Sequence, residues 1–197
     1  MLGDLRYVHP QEQRLAQLHG ISYQQILNPQ RTVLGRWLVS KPPVMKVGDL
    51  LLVHGGVSGD YAGETAQTLA RKMTKHVEHD LFIAHVDSTK KVSVDSAYYA
   101  EWNDFFWGTR SVFWYRGYME SDTLSAELDR TLAGFRADAM VVGHTPAPTI
   151  GVRYGGKLIA AHPQRPATEL LLVTGQGAQR RLHRIVAEGP PQPIARE

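Results

Sequence analysis

The sequence predicts an α/β fold with buried strands, on three observations. Short, continuously apolar runs stop abruptly at glycine, as in Leu50–Val53 before His54-Gly55-Gly56 and Ala139–Val142 before Gly143-His144. Stretches with apolar residues at helical spacing alternate with these runs. Glycine pairs then split the later apolar runs into hairpins.

Taken in order, the segment Gly3–His9 shows no period. Pro10 to Gly20 reads as a helix, with proline in the first turn and glycine as a stop. Ile21–Leu27 reads as a further helical turn, ended by Asn28-Pro29. Val33–Ser40 reads as irregular or a short strand. Val44–Val47, the turn Gly48-Asp49 and Leu50–His54 form a hairpin entering a central strand. The run LLLV is apolar at every position, so both of its faces are expected to be covered.

Tyr61 to His79 reads as a helix, with Ala62, Ala66, Leu69, Met73 and Val77 along one stripe. Asp80 to Asp104 has no legible period. It holds the apolar Leu81–Val86, the polar Ser88–Lys91 and the start of an aromatic run that packs as core. SVFWYRGY, residues 111–118, reads as an aromatic strand. Thr123 to Arg136 is an amphipathic helix with Leu124, Leu128, Leu132 and Phe135 on one face. Ile150–Tyr154 and Lys157–Ala161 flank Gly155-Gly156 as a hairpin, and Leu170–Thr174 with Gln179–Ile185 form another. Residues 1–188 read as one domain, and the Pro-rich residues 189–197 as a disordered tail.

Composition narrows the function classes. The 197 residues are 43% apolar and 21% charged, as in ordinary globular proteins. No apolar run approaches the ~20 residues that span a membrane, and the first residues carry no signal-peptide pattern. The cytoplasm is the default expectation, and no membrane partner is expected. With no cysteine, a transition-metal site must draw on His, Asp, Glu and Asn. A net charge of +3, spread thinly apart from Arg180, Arg181 and Arg184, favours a solvated basic surface over a nucleic-acid binder.

Two of the nine histidines share a setting: a buried strand, then a tight turn with glycine beside histidine. They are His54 in VHGGV and His144 in VVGHTPAP. A strand end is a rigid mount for a ligand, and glycine lets the backbone come close to an ion or phosphate. Each is either a metal ligand or an ordinary turn residue. Two imidazoles alone bind weakly, and catalytic sites add carboxylates. His76 and His79 lie three apart on a predicted helix among Lys72, Lys75 and Glu78, which reads as a solvated face. Asp122 and Glu127 read as helix-start and surface charges.

VHGG, WYRGY and VVGHTP, in that order and with the opening MLGDLRYV, resemble the calcineurin-like metallophosphoesterases. The likeness covers roughly residues 1–160, on the side of the bacterial Ser/Thr-phosphatase-like and Shewanella-like phosphatases. It implies the C-terminal part of a metallophosphatase-type α/β/β/α sandwich with mixed sheets. It also implies two divalent ions (Mn, Fe or Zn) and hydrolysis of a phosphorylated substrate, either a small phosphomonoester or a phosphoprotein.

By the same resemblance, His54 and His144 are metal ligands and Arg116 binds phosphate, against the alternative of a structural ion pair for Arg116. Three motifs of the family are not found: Asp-x-His, Gly-Asp-x-x-Asp-Arg-Gly and Gly-Asn-His-Glu. They would supply the other ligands and the general acid. The expectation is therefore a chain that begins downstream of them and has little activity alone. A non-catalytic relic or binding module of the same fold is the alternative. His162 either approaches the site or is a loop residue before Pro163.

Overall fold

Residues 8–86, 91–164, 166 and 168–195 are described by the computed structural model. The MLGDLRY stretch, the Ser88–Lys90 part of the polar segment and the last two residues lie outside them. The chain divides into two compact units, Met1–Pro42 with Ala70–Tyr99 and Pro43–Leu69 with Ala100–Glu197. The sequence shows no boundary within 1–188.

The first unit is helical. It holds α1 (Pro10–Leu18), α2 (Tyr23–Ile26), α3 (Val33–Val39) and α5 (Asp80–Val86), with most of α4 (Ala66–Glu78) and the start of α6 (Ser96–Trp107). Helix α2 begins with a reciprocal cap, in which the Ser22 hydroxyl accepts from the Gln25 amide and the Gln25 side chain accepts from the Ser22 amide. Helix α3 corrects the expectation of strand or irregular chain at Val33–Ser40. The Thr32 hydroxyl accepts the Gly35 amide at 2.9 Å and starts the helix despite its β-branched first residue. His76 is no solvated residue either: it is fully buried, with Nδ1 3.1 Å from the Tyr98 hydroxyl, and His79 stacks on the same ring at 4.3 Å.

The second unit holds the sheets, which are mixed parallel and antiparallel as the fold class required. Five strands run in the order β1 (Val44–Val47), β2 (Leu50–Val53), β3 (Ala139–Val142), β5 (Leu158–Ala160), β4 (Gly151–Arg153). β1 and β4 are antiparallel edges. β2, β3 and β5 are parallel. A second sheet contains β6 (Glu169–Thr174), β7 (Arg181–Val186) and β8 (Gln192–Pro193). The two sheets pack face to face: Leu50, Ala139, Ile159 and Leu182 are buried together, with Leu52, Leu171 and Val173 against them. On the opposite face of β2, Leu51 and Val53 are also buried, which explains a run with no polar position.

Three further corrections belong here. Residues 111–118 form turns and the short helix α7 (Gly117–Glu120), not a strand. The Ser111 hydroxyl donates to the Phe105 carbonyl at 2.6 Å, and the Ser111 carbonyl accepts the amides of Trp114 and Tyr115. Local side-chain bonding of this kind outcompetes the β propensity of the aromatic run. Glu127, on α8 (Ser125–Phe135), is no surface charge: it accepts the Gly59 amide at 2.9 Å and the Tyr115 hydroxyl at 2.8 Å. Within the Pro-rich tail, residues 192–193 pair with β7 instead of lying free. Among the described residues no helix is long and apolar enough to cross a membrane.

Helix α8 presents Leu128, Leu132 and Phe135 as its buried face. At Gly134 it comes so close to the loop after Gly59–Tyr61 that a Cβ there would lie 2.0 Å from the Ala62 carbonyl oxygen.

Candidate metal and phosphate site

The parallel register of β2 and β3 sets Val53 opposite Val142. The next residues of both strands therefore emerge at the same sheet end, the carboxyl end, where open α/β sheets hold their ligands. The Gly143 amide donates to the His54 carbonyl at 2.9 Å and ties the two turns together. Residues 90 apart in sequence meet here: His54 Nε2 lies 3.1 Å from His144 Nδ1.

Glycine is required beside His54. The Gly55 amide donates to the Val112 carbonyl at 2.9 Å. A Cβ on Gly55 would lie 2.9 Å from the Tyr115 amide nitrogen and 3.1 Å from the Phe113 carbonyl. The 111–116 turn thus lies directly over the end of β2. It is held from its other side by Glu127, and by Arg110, whose guanidinium sits 5.5 Å from the Tyr115 ring centre.

His144 occupies a left-handed backbone conformation, φ +56°. The Thr145 amide donates to the Gly143 carbonyl at 2.6 Å, closing a tight turn around it. A non-glycine residue held this way costs on the order of 1–3 kcal/mol, a kind of strain that clusters at ligand sites. The strained turn aims the imidazole at His54, with the rings tilted 57°.

Arg116 ends the 111–116 turn, half-buried, and its Nη1 donates to the Thr145 hydroxyl at 3.3 Å. Among the described residues it forms no ion pair, so the structural-ion-pair alternative finds no partner. His162 is half-buried; its carbonyl accepts the Ala147 amide at 2.9 Å. Its ring is close enough for its charge to act on both His54 and His144.

Both imidazoles of the pair are held below the usual histidine range. For His54, loss of hydration to the surrounding protein comes first, although one side of the ring stays open, followed by the charges of His162 and Arg116. For His144 loss of hydration again leads, followed by Arg116, His54 and His162. The neutral ring that results is the form that ligates metals.

A separation of 3.1 Å suits an imidazole N–H···N hydrogen bond, and equally two nitrogens on one ion. The two histidines would supply two nitrogens to one ion. Among the described residues no group of three or more His, Asp or Glu could hold a metal ion. Among them, too, His144 Nε2 is buried without a hydrogen-bond partner, where metal-bound histidines have their second nitrogen engaged.

Sequence reasoning assigned Trp114 only to an aromatic strand and missed its place at the site: it stands 41% exposed, its ring T-shaped to that of His144 with centres 5.3 Å apart. Its place next to Tyr115-Arg116 was the available signal.

No protein-family model and no curated protein matches the chain. Solved structures do. The cold-active protein-tyrosine phosphatase of a psychrophilic Shewanella species is 30% identical, with a TM-score of 0.72 over 98% of this chain and 54% of that one. A further structure of a cold-active protein tyrosine phosphatase is 30% identical, with a TM-score of 0.71 over 97% and 53%. A third, of a point variant, is 31% identical, with a TM-score of 0.71 over 98% and 55%. The chain thus spans about half the length of the solved structures it matches, and it shares their mixed α/β fold.

Proposed function

We propose that this chain carries part of the site of a metal-dependent phosphoesterase, the family its VHGG, WYRGY and VVGHTP segments resemble. The observation that carries the reading is the 3.1 Å approach of His54 Nε2 to His144 Nδ1 at the carboxyl ends of adjacent parallel strands. The tyrosine-phosphatase neighbours support phosphate ester hydrolysis independently. The substrate is a phosphomonoester, either small or on a protein.

In this reading His54 and His144 hold one ion of a dinuclear pair. Such ions supply an acidified water as nucleophile and neutralise charge on the phosphoryl oxygens. Arg116 grips the phosphate, since its planar fork matches two phosphate oxygens, and the Thr145 hydroxyl orients that fork. Gly55 and the strained turn at His144 hold the imidazoles in place. Among the described residues no group stands ready as general acid or as a further ligand beside the pair, and in this reading the chain alone is expected to turn over slowly.

A non-catalytic binding module is the second reading, favoured by the incomplete ligand set. The two separate on Zn²⁺ titration calorimetry and p-nitrophenyl phosphate hydrolysis with Mn²⁺. Both are run on this chain and on an N-terminally extended form. The enzyme reading expects about two ions and turnover in the extended form, lost in His54→Ala and His144→Ala. No metal bound by either form sinks it and leaves the binding module.

A further inference from the structure

We infer that the outer face of helix α3 docks on an anionic lipid bilayer, with the helix lying on the surface and not crossing it. The inference stands apart from the phosphoesterase reading and concerns the helical unit alone.

The face follows from the helical period. In α3 (Val33–Val39) the side chains of Val33, Trp37, Leu34 and Leu38 fall in that order within an arc of roughly 140°. All four are open to solvent, at 76%, 55%, 45% and 42%. The other side of the helix is the one that packs. Gly35 is buried there, and a Cβ on it would lie 2.5 Å from the Asn28 carbonyl carbon. The Thr32 hydroxyl caps the first turn. An amphipathic helix ordinarily turns its apolar stripe to the core, whereas α3 turns it outward. Scattered exposed side chains need no explanation, but a contiguous apolar face marks a site of interaction.

Charge decides the kind of partner. Between Glu12 and Asp49 the sequence has five Lys and Arg residues and no Asp or Glu. Two of the five border the face. Arg36 is exposed and lies about 60° from Val33 around the helix. The Lys41 ammonium sits 4.7 Å over the Trp37 ring. Glu78 lines one cleft with Arg36 without pairing to it, and neither cation forms an ion pair among the described residues. Aliphatic side chains and tryptophan ringed by cations suit the boundary of a bilayer: the apolar groups enter the acyl region while guanidinium and ammonium meet lipid phosphates. A neutral bilayer offers that ring of cations no net charge, so the lipid is anionic. Among the described residues no helix is long and apolar enough to cross a membrane, and lying on the surface requires no such length.

The test is co-sedimentation of the full chain with phosphatidylcholine vesicles, with and without about a quarter of phosphatidylglycerol. Each cation near an anionic surface adds roughly fivefold in affinity, so we expect binding at least tenfold tighter to the anionic vesicles. Arg36→Glu with Lys41→Glu should remove that preference. Leu34→Gln with Trp37→Gln should weaken binding to a similar degree, with circular dichroism unchanged because all four side chains are exposed. Brominated acyl chains should quench tryptophan emission, and Trp37→Phe should abolish most of that quenching. No preference for anionic vesicles overturns the inference. Quenching that survives Trp37→Phe also overturns it, because the contact then lies elsewhere on the chain. A dimer in sedimentation velocity that Leu34→Gln with Trp37→Gln dissolves gives the face to a second copy. Loss of vesicle binding in the N-terminally extended form gives it to the added segment. Either result overturns the lipid docking and leaves the site at His54 and His144 as described.

Discussion

Gly134→Ala sets two known effects of opposite sign against each other. In the interior of α8, alanine is favoured over glycine by about 0.8–1.0 kcal/mol. The new Cβ, however, would lie 2.0 Å from the Ala62 carbonyl oxygen, where such pairs come no closer than 3.0 Å. Backbone on both sides must therefore separate by about 1 Å, with no flexible side chain to absorb the change. Overpacking costs about 1–3 kcal/mol, and contact with backbone puts this site at the upper end. The net expectation is a loss of about 1–2 kcal/mol, or roughly 2–8 °C in melting temperature for a chain of this size. Gly63→Ala is the control: nothing lies within 4 Å of a Cβ there, and it should be neutral or slightly stabilising. Urea unfolding followed by circular dichroism reads both. If Gly134→Ala is as stable as the parent, α8 does not approach Ala62 as described and the reasoning fails.

Other outcomes follow from the same contacts. Tyr118→Phe, which deprives the Val57 carbonyl and the buried Thr131 hydroxyl of the Tyr118 hydroxyl, should cost about 1–3 kcal/mol in urea unfolding. Leu51→Ala, fully buried in β2, should cost about 2–5 kcal/mol. Asp49 feels burial pushing its pKa up, but the Gly177 amide and Arg180 outweigh it and hold the pKa below 3.8. A carboxyl depressed on folding adds stability above its unfolded pKa and loses it as pH falls through the folded one. The Asp49 contribution should thus fade below about pH 3.8, and Asp49→Asn should flatten that part of the acid-unfolding curve. Arg116→Ala should weaken inorganic phosphate binding at least threefold by calorimetry, with Arg116→Lys recovering only part, since lysine lacks the bidentate fork.

Much of the scaffold was legible in the residues. The Gly48-Asp49 turn between β1 and β2, the glycine-split hairpins and the stripe of α8 all follow from local periodicity and turn chemistry. His54 and His144 stood out because each follows a buried strand and adjoins glycine. What escaped was decided by side chains acting on the backbone. Thr32 made a helix of Val33–Val39, and Ser111 made turns of an aromatic run that alternation alone would read as a strand. Helices α5 and α6 were illegible because their apolar and aromatic residues show no clean stripe. Glu127 looked like a surface charge because its two partners, Gly59 and Tyr115, lie 68 and 12 positions away. Trp107 looked like core with Trp102 and Phe105, but it is 37% exposed, because composition says nothing about which aromatics face outward.

The register between β2 and β3 also has a kinetic consequence. β1 and β2 close over a two-residue turn, whereas β2 and β3 join segments about 90 positions apart. Non-local ladders form late, after loop-closure entropy has been overcome. The imidazole pair therefore exists only in molecules that have finished this step. A divalent ion that needs both imidazoles would find them together only at the end of refolding. If the pair binds Zn²⁺ as proposed, stopped-flow experiments should find the refolding rate unchanged and unfolding slowed: the ion would be a latch on a completed fold and not a seed for it.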